Sequence, residues 1–299
     1  MGARGRNSSA GGSRGSRARF AGSSATIESS CRTERDAYVC LGAVGSTAEI
    51  VGHSFPSFHT SQSWSAFVFG KPTQITFMSE IFHRKLFIPG PAGQLESLLW
   101  TSADQNPKLA AVVCHPHPLF AGTMHNKVVY QTAKALHLRG IPVLRFNFRG
   151  AGLSEGVHDE GRGEREDVRA ALDYMAQQYP ASKLLLAGFS FGSWVGLRIG
   201  CEDARVSDLI GLGVPANRSS LKYLVQCTKP KLLVQGGDDE FGSRENVEAL
   251  FATLPEPKKL VIVEGADHFF SGQLDRVAIA INDWLDSRHP GTAENPDQH

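Results

Sequence analysis

The chain has 299 residues, 41% hydrophobic and 20% charged, with a formal net charge of +1. Those proportions describe a water-soluble globular protein with material for a large core, and they exclude a strongly basic nucleic-acid binder or an acidic tail protein. No apolar run approaches the roughly 18 residues that span a bilayer. Five cysteines (Cys31, Cys40, Cys114, Cys201, Cys227) are odd in number and lack CxxC spacing. That argues against a disulfide framework or a structural zinc site and favours a reducing, cytoplasmic compartment.

Residues 1–27 hold six Gly, six Ser, five Ala and five Arg, with no acid before Glu28. Such a segment cannot bury enough apolar surface to offset the entropy of ordering it. Residues 28–77 stay rich in Ser and Thr and show no lasting period. Three readings stay open for 1–77: an organelle transit segment, a disordered tail, or an extension upstream of a true start at Met78. The folded unit is then 78–289, and 290–299 is a polar tail.

From Met78 the texture changes to apolar runs separated by Gly, Pro and Asp. Residues 81–88 and 94–101 read as a hairpin around Pro89-Gly90-Pro91-Ala92-Gly93. Residues 109–114 form a continuous apolar run, as expected of a strand buried on both faces. The pattern continues as helix 126–139, strand 142–148, helix 163–179, strand 183–187, helix 192–201 and strand 208–214. It ends with strand 231–235, helix 244–254, strand 258–263 and helix 273–287. Parallel strands need crossovers, so this order predicts one doubly wound α/β domain: a mostly parallel sheet with helices on both faces.

In such a sheet, function gathers just past the carboxyl ends of the strands. After strand 183–187 comes Gly188-Phe189-Ser190-Phe191-Gly192, a GxSxG run between strand and helix. The two glycines let the chain turn sharply and lift the Ser190 hydroxyl above the sheet. Gly152-Leu153-Ser154-Glu155-Gly156 also matches GxSxG, but it lies beyond its strand and leads into loop, so Ser154 reads as structural. A serine nucleophile needs a base, and the base an orienting acid. Strand 231–235 is followed by Gly236-Gly237-Asp238-Asp239-Glu240, and strand 258–263 by Glu264-Gly265-Ala266-Asp267-His268-Phe269-Phe270.

The order Ser, Asp, His, each after its own strand, resembles the α/β-hydrolase superfamily, esterases and lipases included. Gly-Ala-Asp-His-Phe is similar to its histidine loop and Gln-Gly-Gly-Asp-Asp to its acid turn, where the family's offset favours Asp239 over Asp238. The run from Cys114 to Lys127, beginning Cys-His-Pro-His-Pro, resembles the oxyanion loop of a subgroup of small, mostly bacterial hydrolases. Ala121 departs from that subgroup's glycine, and a positive φ there would strain it. The resemblance implies Ser190, His268 and Asp239 as catalytic residues. One oxyanion-hole donor is then the backbone N–H of Phe191, and the other comes from the loop after strand 109–114, with His117 best placed and Leu119 and Phe120 ranked behind it. Pro116 and Pro118 have no N–H to offer.

Several neighbouring residues have plainer roles. The side chains of His115 and His117 read as loop scaffolding, and a metal set with His125 lacks a carboxylate. Arg149 is expected to pair with Asp167 or Glu164, and Cys114 to be a small buried hydrophobe. Too few residues separate Val214 from Lys231 for a large lid domain. The reading at this stage is a serine hydrolase acting on an ester or related acyl bond. Its partner is a small-molecule acyl substrate, with no cofactor, no metal, no nucleic acid and no membrane span. The other reading kept open is an inactive scaffold on the same fold.

Overall fold

A computed structural model describes residues 83–290. The expectations for residues 1–77, the boundary at Met78 and residues 291–299 of the tail lie outside the described residues. Eight strands form one sheet in the order β1-β2-β4-β3-β5-β6-β7-β8. They are β1 (His83–Gly90), β2 (Gly93–Trp100), β3 (Leu109–Cys114), β4 (Val143–Phe146), β5 (Lys183–Phe189), β6 (Val206–Leu212), β7 (Lys231–Gly236) and β8 (Lys258–Val263). Five helices connect or flank them: α1 (Lys127–Leu138), α2 (Arg162–Gln178), α3 (Phe191–Glu202), α4 (Arg244–Thr253) and α5 (Leu274–Arg288).

The hairpin β1–β2 turns at Pro91-Ala92, with Gly90 opposite Gly93, and β2 continues antiparallel onto β4. From β4 to β8 all neighbours are parallel. Every residue of β3 is buried, because helices cover both faces and leave no polar side to a central strand. One face packs Val112, Leu144, Leu172, Leu186 and Val195 with α2 and α3; the other packs Val113, Val129, Leu136, Leu185 and Ile281 with α1 and α5. The sheet is therefore doubly wound and mostly parallel, as the alternation of elements predicts.

β3 lies between β4 and β5, so the chain crosses to one side through α1 and returns past β3 through α2. That reversal opens a crevice at the carboxyl ends of these strands. Residues 115–117, 147–158 and 190 all leave the sheet there. The connection from β6 to β7 contains one short 3-10 turn, Lys222–Gln226, and no lid domain.

The cysteines depart from what their number and spacing suggest. Cys201 at the end of α3 and Cys227 just after the 3-10 turn form a disulfide, with Cα atoms 5.5 Å apart. Pairing is decided in space, and a sequence separation of 26 with an odd total conceals it. Cysteine count thus gives no argument for a reducing compartment. Cys114 is free and fully buried, and burial alone raises its thiol pKa.

Candidate active site

The turn after β5 places Ser190 at φ 54°, a left-handed conformation for a residue with a Cβ. Glycines on both sides allow it. A Cβ on Gly188 would lie 2.4 Å from the Gly192 carbonyl oxygen, and one on Gly192 would lie 2.5 Å from the carbonyl oxygens of Cys114 and His115. The N-terminus of α3 is therefore pressed against the loop after β3. Ser190 leads into the helix, its carbonyl accepting from the N–H of Ser193 and Trp194, while its hydroxyl makes no capping bond and remains available.

That hydroxyl lies 2.9 Å from Nε2 of His268, and Nδ1 of His268 lies 2.7 Å from Oδ2 of Asp239. A carboxylate accepts, so Nδ1 carries the proton and Nε2 is left to accept from the serine. Both His268 and Asp239 are buried. Asp239 receives three further donors: Nε2 of Gln235 on Oδ2 at 2.7 Å, and the N–H of Phe241 and Gly242 on Oδ1 at 2.8 and 3.2 Å. Its neighbour Asp238 is exposed and makes no contact with His268.

Gln235 is a positioning residue that the sequence reading passed over. Its carbonyl oxygen accepts from Val214 N–H at 2.8 Å, and its amide also donates to the Gly242 carbonyl at 2.8 Å. It ties the end of β6, the acid turn and the carboxylate together. The signal was a polar side chain ending the buried run Leu-Leu-Val-Gln of β7, since a buried amide must find partners. Phe241, also unremarked, lays its ring 4.5 Å from that of His268.

In the loop after β3, Leu119 N–H donates to Nδ1 of His117 at 3.3 Å, and Phe120 N–H to the His117 carbonyl at 3.1 Å. Those two donors are spent within the loop. Among the described residues, no hydrogen bond takes up the backbone N–H of His117 or of Phe191, and the rings of these two residues are 4.8 Å apart. Burial, then the neighbouring His158, holds the His117 imidazole below its ordinary pKa. Ala121 does adopt a positive φ, 57°. It closes the single turn Pro118–Phe120.

The remaining polar residues of the crevice are consumed by scaffold. His115 is fully buried, with Nδ1 on the Pro116 carbonyl at 2.6 Å and Nε2 accepting from Phe148 N–H at 2.9 Å. Both ring nitrogens are occupied, which leaves none for a metal, and burial lowers its pKa to about 4. Ser154 donates to the Asn147 carbonyl at 2.7 Å and accepts from Glu96 N–H at 2.9 Å. Arg149 forks onto buried Asp167, as close as 2.7 Å, and Glu164 instead accepts from Asp159 and Gly161 N–H.

Comparison with known proteins gives the family and the fold. The alpha/beta hydrolase domain family matches residues 109–277. The chain is 36% identical over 210 residues to an uncharacterized protein of Rickettsia prowazekii, covering 67% of this chain and 88% of that one. An α/β serine hydrolase homologue from Coxiella burnetii superposes with TM-score 0.64 at 37% identity, over 67% of this chain and 96% of that one. A Xanthomonas campestris protein, described as an α/β serine hydrolase without lid, gives 0.65 at 34%, over 71% and 97%. The chain belongs to the α/β-hydrolase family. Among the described residues no helix is long and apolar enough to cross a membrane.

Proposed function

We propose that the chain is a serine hydrolase that cleaves a carboxylic ester or related acyl bond through an acyl-enzyme. The observation that carries this reading is the unbroken row of hydrogen bonds from Ser190 Oγ through His268 to Asp239. Ser190 Oγ attacks the acyl carbonyl while Nε2 of His268 takes its proton. Asp239 holds the imidazole in the required tautomer and stabilises its positive charge. The carbonyl oxygen, now an oxyanion, sits between the two unspent N–H groups of His117 and Phe191, each worth about 10²–10³-fold.

Collapse of that intermediate breaks the bond to the leaving oxygen, which receives the proton from Nε2. Water then attacks the acyl-Ser190 carbonyl, giving its proton to His268; the acid departs and Ser190 Oγ is reprotonated. The cycle balances with the chain and one water. The lidless mouth suits small or exposed acyl groups.

The test is turnover of a nitrophenyl ester by the full chain and two variants. Ser190→Ala abolishes turnover and Ser154→Ala keeps most of it. Equal loss in both, or survival in Ser190→Ala, contradicts the assignment.

A further inference from the structure

The proposed reaction gives the mouth two sides. His268 must hand its proton to the leaving oxygen, so the leaving group lies along the histidine flank of Ser190. The carbonyl oxygen points the other way, towards Phe191 and His117. The histidine flank is built from Phe241, Phe189 and Phe269, whose rings lie 4.5, 5.0 and 5.2 Å from the imidazole. Over Phe241 lies one cation: the Arg218 guanidinium is 4.7 Å from the ring centre.

Arg218, like Arg84, Arg145, Arg165 and Arg276, lacks the carboxylate partner that most of the described arginines have. Arg149, Arg162, Arg169, Arg198, Arg205 and Arg244 each face a carboxylate within 4.0 Å. Arg218 is exposed and has no such partner among the described residues. Asp238 and Glu240, the exposed acids of the adjoining turn, form no ion pair with it either.

Its backbone is nevertheless firmly held. Asn217 donates through N–H to the Phe241 carbonyl at 3.0 Å and through Nδ2 to the Glu240 carbonyl at 3.2 Å. Asn217 Oδ1 accepts from Ser243 N–H at 3.0 Å and from Asn246 Nδ2 at 2.7 Å. Arg218 N–H itself bonds the Pro215 carbonyl at 3.0 Å. A guanidinium laid over an aromatic ring keeps its N–H edges free, and that planar fork matches a carboxylate or phosphate.

We propose that Arg218 reads an anionic group on the leaving side, so that the preferred substrates are acyl esters or thioesters whose alcohol or thiol portion carries a carboxylate or phosphate. The inference rests on the hydrolase reading above, and its test separates the two. The probes are 4-nitrophenyl acetate and 3-carboxy-4-nitrophenyl acetate, which share an acyl group and differ in leaving-group charge. The quantity read is the ratio of their kcat/KM values, corrected for their spontaneous hydrolysis.

In the unaltered chain the ratio favours the anionic ester and declines as salt is raised. In Arg218→Ala it drops about fivefold, the size of an exposed ion pair, with the loss falling on KM for the anionic ester. Arg218→Lys restores part of the preference. A ratio that Arg218→Ala leaves unchanged, or an equal loss on both esters, overturns the inference and leaves the hydrolase reading standing. Failure of the unaltered chain to turn over either ester overturns both.

Discussion

Ser190 and Ser154 each stand at the centre of a GxSxG run, yet their surroundings use them in opposite ways. The Ser154 hydroxyl donates to one backbone group and accepts from another, pinning the loop after β4 to β2. Among the described residues the Ser190 hydroxyl hydrogen-bonds His268 alone, on a backbone twisted to positive φ by the turn between β5 and α3. The contrast extends to two histidines. His115 spends both ring nitrogens on backbone, whereas His268 joins a carboxylate on one side to a hydroxyl on the other. In this crevice a polar side chain either builds the loops or remains available for chemistry. A short motif does not say which; its place relative to strand and helix does.

The sharpest way to break that contrast is at the acid. Asp239 serves the His268 ring, and Asp238, one residue away, faces solvent. Asp239→Asn lowers kcat by about 10³–10⁴-fold through the wrong imidazole tautomer, while Asp238→Asn changes it little. Steady-state kinetics on one ester decides this, and the reverse ranking would move the acid to Asp238.

A smaller effect separates the histidines by pH. His115 is buried neutral, with its pKa lowered from 6.5 to about 4. A lowered histidine pKa means that the unfolded chain binds the proton first. The contribution of His115 is therefore complete above pH 6.5 and is lost as pH falls towards 4. The loss reaches about 3 kcal/mol at the acid end of that window. Urea unfolding across the window should show it, with a shallower acid loss in His115→Gln. An equal loss in that variant would assign the acid sensitivity to other groups.

The features the sequence made legible are those with strong local causes. The apolar run of β3 announces a strand buried on both faces, and the breakers at Gly140 and Pro142 mark where α1 gives way to β4. The strand–turn–helix setting that separates Ser190 from Ser154 is written in the local sequence. Features made by long-range packing were not legible. The disulfide between Cys201 and Cys227 depends on α3 and the connection after β6 meeting in space. The choice of Asp167 over Glu164 as partner of Arg149 depends on how the loop after β4 folds: the N–H groups of Asp159 and Gly161 occupy Glu164, whereas Asp167 receives both the backbone N–H and the guanidinium of Arg149. Arg218 is invisible in sequence because its meaning comes from Phe241 beneath it and His268 beyond.

The central claim is that Ser190 is an activated nucleophile, and active-site labelling tests it most directly. The full chain is treated with a fluorophosphonate probe and the modified peptide is identified by mass spectrometry. The account predicts labelling at Ser190 alone, abolished in Ser190→Ala and retained in Ser154→Ala. A folded chain that stays inert to the probe, or that carries the label on Ser154, would contradict it.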